Sequence, residues 1–216
     1  MHNKKINKVK AIVKQFVIAF FFSAFFIFLV SILFQKKIDK TIVLINKIAV
    51  VSSSKESKKK NIKINNLKKR LVEYPSYGDV FGSIKIPNLQ IESSLYHGDA
   101  LRLLKYGVGH HAGTYFPGEG GTILIAGHNT YAQFRNLPNA KVNDQIIIET
   151  VYGTYTYKVE RTDILEAKDF NASLSINDQK EELILYTCYP VDTPGFKTKR
   201  FIVYASLVGD NKWKEN

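Results

Sequence analysis

From Phe16 to Phe34 the chain runs for 19 residues without a charge, built almost wholly from Phe, Ile, Val, Leu and Ala. As a helix rising about 1.5 Å per residue, such a run reaches across most of the ~30 Å hydrocarbon core of a bilayer. A cleaved secretory signal is the rival reading. Its apolar region is shorter, about 7–15 residues, and ends near a small-residue cleavage site. Here Gln35-Lys36-Lys37-Ile38-Asp39 follows instead. The length favours an uncleaved transmembrane anchor over 16–34, preceded by a basic tail, 1–15. Whatever else folds must therefore fold from the remainder, which has room for one domain of ordinary size.

The formal net charge is +12, a value that would suit nucleic acid or an anionic surface. Its location decides between them. Residues 1–70 hold 17 of the 31 Lys+Arg and two acids, whereas residues 71–216 hold 14 basic and 17 acidic residues. The basic excess belongs to the tail and to the stalk and linker, 35–76, with its Ser52–Lys60 run of Ser and Lys. The domain beyond is slightly acidic and shows no basic, aromatic-interleaved nucleic-acid face. Five lysines precede the span and four (Lys36, Lys37, Lys40 and Lys47) follow within twenty residues, so charge bias alone does not orient it.

Asn61–Glu73 reads as a short amphipathic helix, and Tyr74-Pro75-Ser76-Tyr77-Gly78-Asp79 as the break that opens a folded domain over 77–210. A short tail, 211–216, follows. Within the domain the pattern is short strands and turns. Val80–Ile86 and Leu89–Tyr96 flank Pro87-Asn88, and Asp144–Val151 and Thr154–Leu165 flank Tyr152-Gly153. Tyr155, Tyr157 and Val159 alternate as one face of a strand. Ala100–Tyr106 is a short helix candidate, and Gly107–Gly121 reads as irregular and glycine-rich. No Gly-Lys-Ser/Thr follows those glycines, so turns and close packing explain them better than a phosphate cradle. Glu166–Glu181 is a loop or short helix. Strands at this spacing predict a mainly β fold, a closed antiparallel barrel with short helices.

Glu182–Pro190 is an apolar strand with the chain's one cysteine, Cys188, at its C-terminal end. A strand end holds a reactive group well, because the sheet fixes the backbone while the side chain emerges at a loop. Arg200 opens the next strand, twelve residues on, and if the two are antiparallel neighbours Cys188 and Arg200 lie side by side. Thr122–Gly127 is a third apolar strand, ending on His128. Taken alone, a single cysteine is more often a small buried hydrophobe than a nucleophile. A single cysteine also excludes an internal disulfide and a Cys-based metal site. His110 and His111 are adjacent, so in extended chain they point to opposite sides and do not form a metal pair.

The flanking patterns change that balance. Tyr186-Thr187-Cys188 resembles the end of the sortase active-site strand, where an apolar run leads into Thr-x-Thr-Cys, although Leu185 replaces the first threonine. Ile125-Ala126-Gly127-His128 resembles the sortase histidine segment, and Arg200-Phe201-Ile202-Val203 the arginine strand. Gly107-Val108-Gly109-His110 and Pro117-Gly118-Glu119-Gly120-Gly121 are similar to class D members. The resemblance covers about residues 79–208 and implies an eight-stranded sortase-type barrel. It further implies a membrane-anchored cysteine transpeptidase that cuts a Leu-Pro-x-Thr-Gly type motif. Cys188 would be the nucleophile, His128 the acid and base, Arg200 the electrostatic support, and Thr187 a substrate contact or merely a strand residue. The implied partners are motif-bearing surface proteins and an amine of a cell-wall precursor, with no cofactor. The implied setting is the membrane of a Gram-positive cell, N-terminus inside and catalytic domain outside. A pilin-polymerising sortase, a hydrolytic thiol peptidase and a non-catalytic tethered binding module are the alternatives.

Overall fold

The computed structural model describes residues 13–30, 64–65, 70–71, 73–193, 195–209 and 212–213. Two units divide the chain near residue 41. In the first, helix α1 (Val13–Val30) is long and apolar enough to cross a membrane. Every one of its residues is exposed, which is consistent with a single-pass membrane anchor. Residues 1–12 of the expected 1–15 tail, the last four residues of the expected span, 31–34, and residues 35–63, 66–69 and 72 of the expected 35–76 stalk and linker lie outside the described residues.

The second unit holds eight principal strands: β1 (Val80–Ile86), β2 (Ile91–His97), β3 (Val108–His110), β4 (Thr122–Gly127), β5 (Gln145–Thr150), β6 (Gly153–Glu166), β7 (Glu182–Tyr189) and β8 (Lys199–Leu207). They hydrogen-bond in the order β8-β7-β4-β3-β2-β1-β5-β6, and a further β6–β8 pairing closes the sheet into a barrel. Pairing is antiparallel except for β2–β3 and β4–β7, which are parallel. A two-residue strand, Lys212–Trp213, adds to the start of β6.

Alternation along the strands separates two apolar layers. Ile146, Ile148, Tyr155, Tyr157, Val159, Leu183, Leu185 and Val203 point inward and fill the barrel. On the outer face Leu124, Ile184 and Ile202 pack under Phe170 of α2 (Ala167–Ser173), with Leu165, Leu174, Tyr186 and Tyr204 at the margin. Burying a ring such as Phe170 contributes about 2 kcal/mol, enough to hold a two-turn helix that could not stand alone.

Three local expectations are corrected. The helix expected over Asn61–Glu73 is, where described, a small antiparallel ribbon in which Ile64–Asn65 pairs Arg70–Leu71; β-branched Ile64 favours extended backbone. The helix expected over Ala100–Tyr106 is a set of turns. One α-type bond joins Leu104 N–H to Ala100 C=O, but Leu103 and Tyr106 bond only three residues back, and one turn is too short to propagate. Finally, the glycine-rich stretch conceals β3. A Cβ at Gly109 would stand 2.4 Å from Gly98 O, and one at Gly107 the same distance from Ser94 O. These glycines are there for close strand approach, which apolar periodicity does not reveal.

Two buried polar groups hold the loops to the barrel. Glu181 accepts hydrogen bonds from Gly118 N–H (3.0 Å), Gly120 N–H (2.9 Å) and the Tyr157 hydroxyl (2.6 Å), tying the Gly-rich turn to β6. His110, fully buried, donates from Nε2 to Tyr115 C=O (2.9 Å), which leaves Nδ1 to accept from His97 Nδ1–H at 3.2 Å. Phe116 stacks on its ring at 4.4 Å.

Burial lowers the His110 pKa to about 4, opposed by its bond to the Tyr115 carbonyl. The unfolded chain therefore binds this proton first as pH falls. Stability is fully present above the ordinary histidine value and is lost as pH drops from there toward 4, by about 3 kcal/mol for this group. An NMR titration will show the His110 ring still neutral at pH 5; a midpoint at the ordinary value would contradict its burial.

Candidate active site

The register of three strands assembles the candidate site. In the β7–β8 ladder Arg200 is the direct Cα partner of Cys188, and side chains opposed in this way share a face with Cβ atoms about 4.5–5.5 Å apart. In the parallel β4–β7 ladder Gly127 is level with Thr187. His128 is the next residue, just past the last ladder position, and so emerges at the same barrel end as Cys188. Nucleophile, imidazole and guanidinium candidates thus meet at one barrel end.

Cys188 and Arg200 share the outer face. Leu183, Leu185 and Thr187 point into the barrel, while Ile184, Tyr186 and Cys188 alternate outward. Cys188 is a free thiol, half-buried. The period of two separates Thr187 from it. Only 1% of Thr187 is exposed, and its hydroxyl is buried without a hydrogen-bond partner. Thr187 thus stands on the inner face, away from the side on which Cys188 emerges.

His128 lies just past the last ladder position of β4. Its N–H donates to Gln133 Oε1 at 2.5 Å, and its C=O accepts from Phe134 N–H at 2.9 Å. Burial lowers the His128 pKa, so at neutral pH the ring is an uncharged base. Arg200 Nη1 donates to Lys197 C=O (3.2 Å) and Lys199 C=O (3.0 Å), which steadies the guanidinium against its own loop.

Sequence reasoning passed over the groups that frame this trio. Tyr186 precedes Cys188 by one outward position; its ring packs on Phe170 at 4.8 Å. Burial, with the charge of Asp99, pushes its phenol up to about 12, the Arg200 charge opposing. It is a neutral hydrogen-bonding group beside the thiol. Arg135 donates from Nη2 to Asp192 Oδ1 at 2.6 Å and lies 4.5 Å from the Tyr131 ring centroid. That ion pair ties the loop after His128 to the loop after Cys188. These residues come from loops or from inside an apolar run, where no spacing rule marks them. Of the other described histidines, His97 and His110 bond each other, and His111 bonds Asp99 at 2.6 Å.

Comparison with known proteins bears on the family and the fold. A sortase-domain family model matches residues 84–208. Sortase D of Bacillus subtilis is 35% identical over 134 residues, spanning 62% of this chain and 67% of that protein. A Clostridium perfringens sortase D5 transpeptidase superposes with a TM-score of 0.55 at 26% identity, over 80% of this chain and 99% of that one. The SrtF sortase of Corynebacterium diphtheriae, at 20% identity, shares the fold with a TM-score of 0.58 over 71% of this chain and 94% of that one.

Thr187 gives a direct check on the assignment of faces. Replacing it with Val keeps its shape and removes a buried hydroxyl that has no partner. Thr187→Val will unfold at the same or a slightly higher temperature, a gain of up to about 1 kcal/mol, with iodoacetamide labelling of Cys188 changed by less than about twofold. A large loss of labelling or stability would place Thr187 in the site after all.

Proposed function

The chain belongs to the sortase family, whose members are cysteine transpeptidases, and on that premise we propose that it is a class D-like sortase joining surface proteins to the cell wall. The observation that supports this reading most is that Arg200 is the ladder partner of Cys188 while His128 directly follows Gly127, the ladder partner of Thr187. The similarity to sortase D of B. subtilis supports the subclass.

The reaction on this reading begins with a sorting motif of the Leu-Pro-x-Thr-Gly type lying on the outer face. His128, neutral at rest, takes the Cys188 proton, because the thiolate and not the thiol is the effective nucleophile. The sulfur attacks the threonine carbonyl carbon, and the oxygen becomes an oxyanion. Arg200 keeps its charge at any working pH and has Nε and Nη2 donors beyond those bound to its loop carbonyls, so it offsets that charge. The C–N bond then breaks as His128 returns its proton to the departing glycine nitrogen. An acyl thioester on Cys188 remains. An incoming amine attacks it, His128 accepts the amine proton, and the thiolate leaves as the new amide forms.

Helix α1 serves on this reading as a single-pass anchor, with the N-terminus cytoplasmic and the 77–210 catalytic domain outside. The 35–76 segment is the stalk that carries the domain away from the membrane. The substrates are motif-bearing surface proteins and the acceptor is an amine of a wall precursor.

Incubating the full chain with a sorting-motif peptide and an amine tests the proposal, with mass spectrometry following the ligated product and the acyl adduct. Cys188→Ala will show neither. His128→Gln will lose about 10²–10⁴-fold in kcat/KM, as general acid–base catalysis does, and Arg200→Gln about 10²–10³-fold, as lost oxyanion support does. Hydrolysis without amine transfer would make the chain a peptidase instead. Full activity in Cys188→Ala would remove the mechanism.

A further inference from the structure

His128 has left the β4 ladder, so the sheet no longer pairs its backbone. One side chain takes over that task. Gln133 is 3% exposed, and both ends of its amide are engaged. Its Oε1 accepts the His128 N–H at 2.5 Å, and its Nε2 donates to Leu104 C=O. A backbone N–H can meet only the amide oxygen and a carbonyl only the amide nitrogen, so the two partners assign the orientation. The far partner belongs to a different segment, the turns between β2 and β3. Gln133 is therefore a strut between that crossover and the residue after β4.

The surrounding turn holds the strut in place. Gln133 N–H and Arg135 N–H both donate to Thr130 C=O, at 2.9 and 3.1 Å, and Phe134 N–H returns to His128 C=O. The Phe134 ring closes on Gly127, where a Cβ would stand 2.4 Å from it. The backbone on either side of the imidazole is thereby fixed, although no described contact reaches the ring itself from Gln133.

We propose that Gln133 is the positioning residue for His128, setting where the imidazole stands relative to Cys188. This rests on the reading of His128 as acid and base. A misplacement of 1 Å in a reacting group costs about 10²-fold in rate, so the strut acts on turnover rather than on substrate binding. Gln133→Glu separates this role from simple packing. At neutral pH the carboxylate still accepts the His128 N–H but faces the Leu104 carbonyl with no proton between them. Once protonated, a step that burial moves to higher pH, it regains the donor.

The test uses the full-length chain in detergent micelles, with a sorting-motif peptide and an amine as substrates, and with iodoacetamide labelling of Cys188 as a readout that needs no turnover. Gln133→Glu is expected to lose about 10–100-fold in kcat at pH 7.5 with KM within about twofold. The deficit relative to wild type narrows by several-fold toward about pH 5.5 as the carboxyl protonates. In the His128→Gln background the same change adds less than about twofold, since nothing remains to be positioned. Wild-type kcat in Gln133→Glu overturns the proposal. So does a loss of equal size in both backgrounds and at every pH, which is the mark of packing alone. If His128→Gln itself keeps wild-type turnover and labelling, the acid–base reading fails and the strut falls with it. If His128→Gln is impaired while Gln133→Glu is not, only the strut is lost.

Discussion

The site depends on the lateral pairing of β7 between β4 on one side and β8 on the other. Parallel pairing with β4 sets Gly127 level with Thr187 and so brings His128, the next residue, to the end of β7 that carries Cys188, and antiparallel pairing with β8 sets Arg200 opposite Cys188. The ladder with β8 places Arg200 directly, whereas the loop after β4, through Gln133, holds the backbone of His128. A slip of one residue in either ladder would send a partner to the opposite face, because strand side chains alternate with a period of two. The apolar face protects against such a slip: Leu183 and Leu185 would leave the barrel and Ile184 would enter it. The energy that fills the core therefore also fixes the site.

The outer face is unusual in being partly dry. The Phe170 ring of α2 covers Leu124, Ile184 and Ile202, and Tyr186 continues this cover toward Cys188. The surroundings that raise the Tyr186 phenol also lower His128 by burial. Both shifts favour the uncharged form, and for Tyr186 the Arg200 charge opposes the shift. An electrostatic interaction made there is worth more than in water, since less solvent competes with it.

The parts that were legible in the sequence were those with a period. Alternation in Tyr155, Tyr157 and Val159 identified β6, and the apolar runs before His128 and Cys188 identified β4 and β7, which the structure pairs. Strand β3 was hidden because its neighbours are glycines chosen for close approach, so they carry no hydrophobic signal. The short helix over 100–106 was misjudged because local propensity was too weak to outlast one turn. Thr187 was ambiguous in sequence, and the structure adds its face: adjacency to Cys188 along a strand is separation by the thickness of the sheet. Gln133 and the Arg135–Asp192 pair could not be found from spacing, since their partners come from segments far along the chain.

The central claim is that the thiol of Cys188 and the imidazole of His128 stand within a few ångströms on one face, and charge placed on the sulfur tests it most directly. Because the chain has a single cysteine, iodoacetate adds one carboxylate there, and iodoacetamide adds a neutral group of nearly the same size. NMR titration of His128 in the two labelled proteins compares the charge at constant bulk. The account predicts a His128 midpoint about one pH unit or more higher in the carboxymethyl protein, as an opposite charge within about 4–6 Å requires. Identical midpoints in the two proteins would place the groups apart and contradict it.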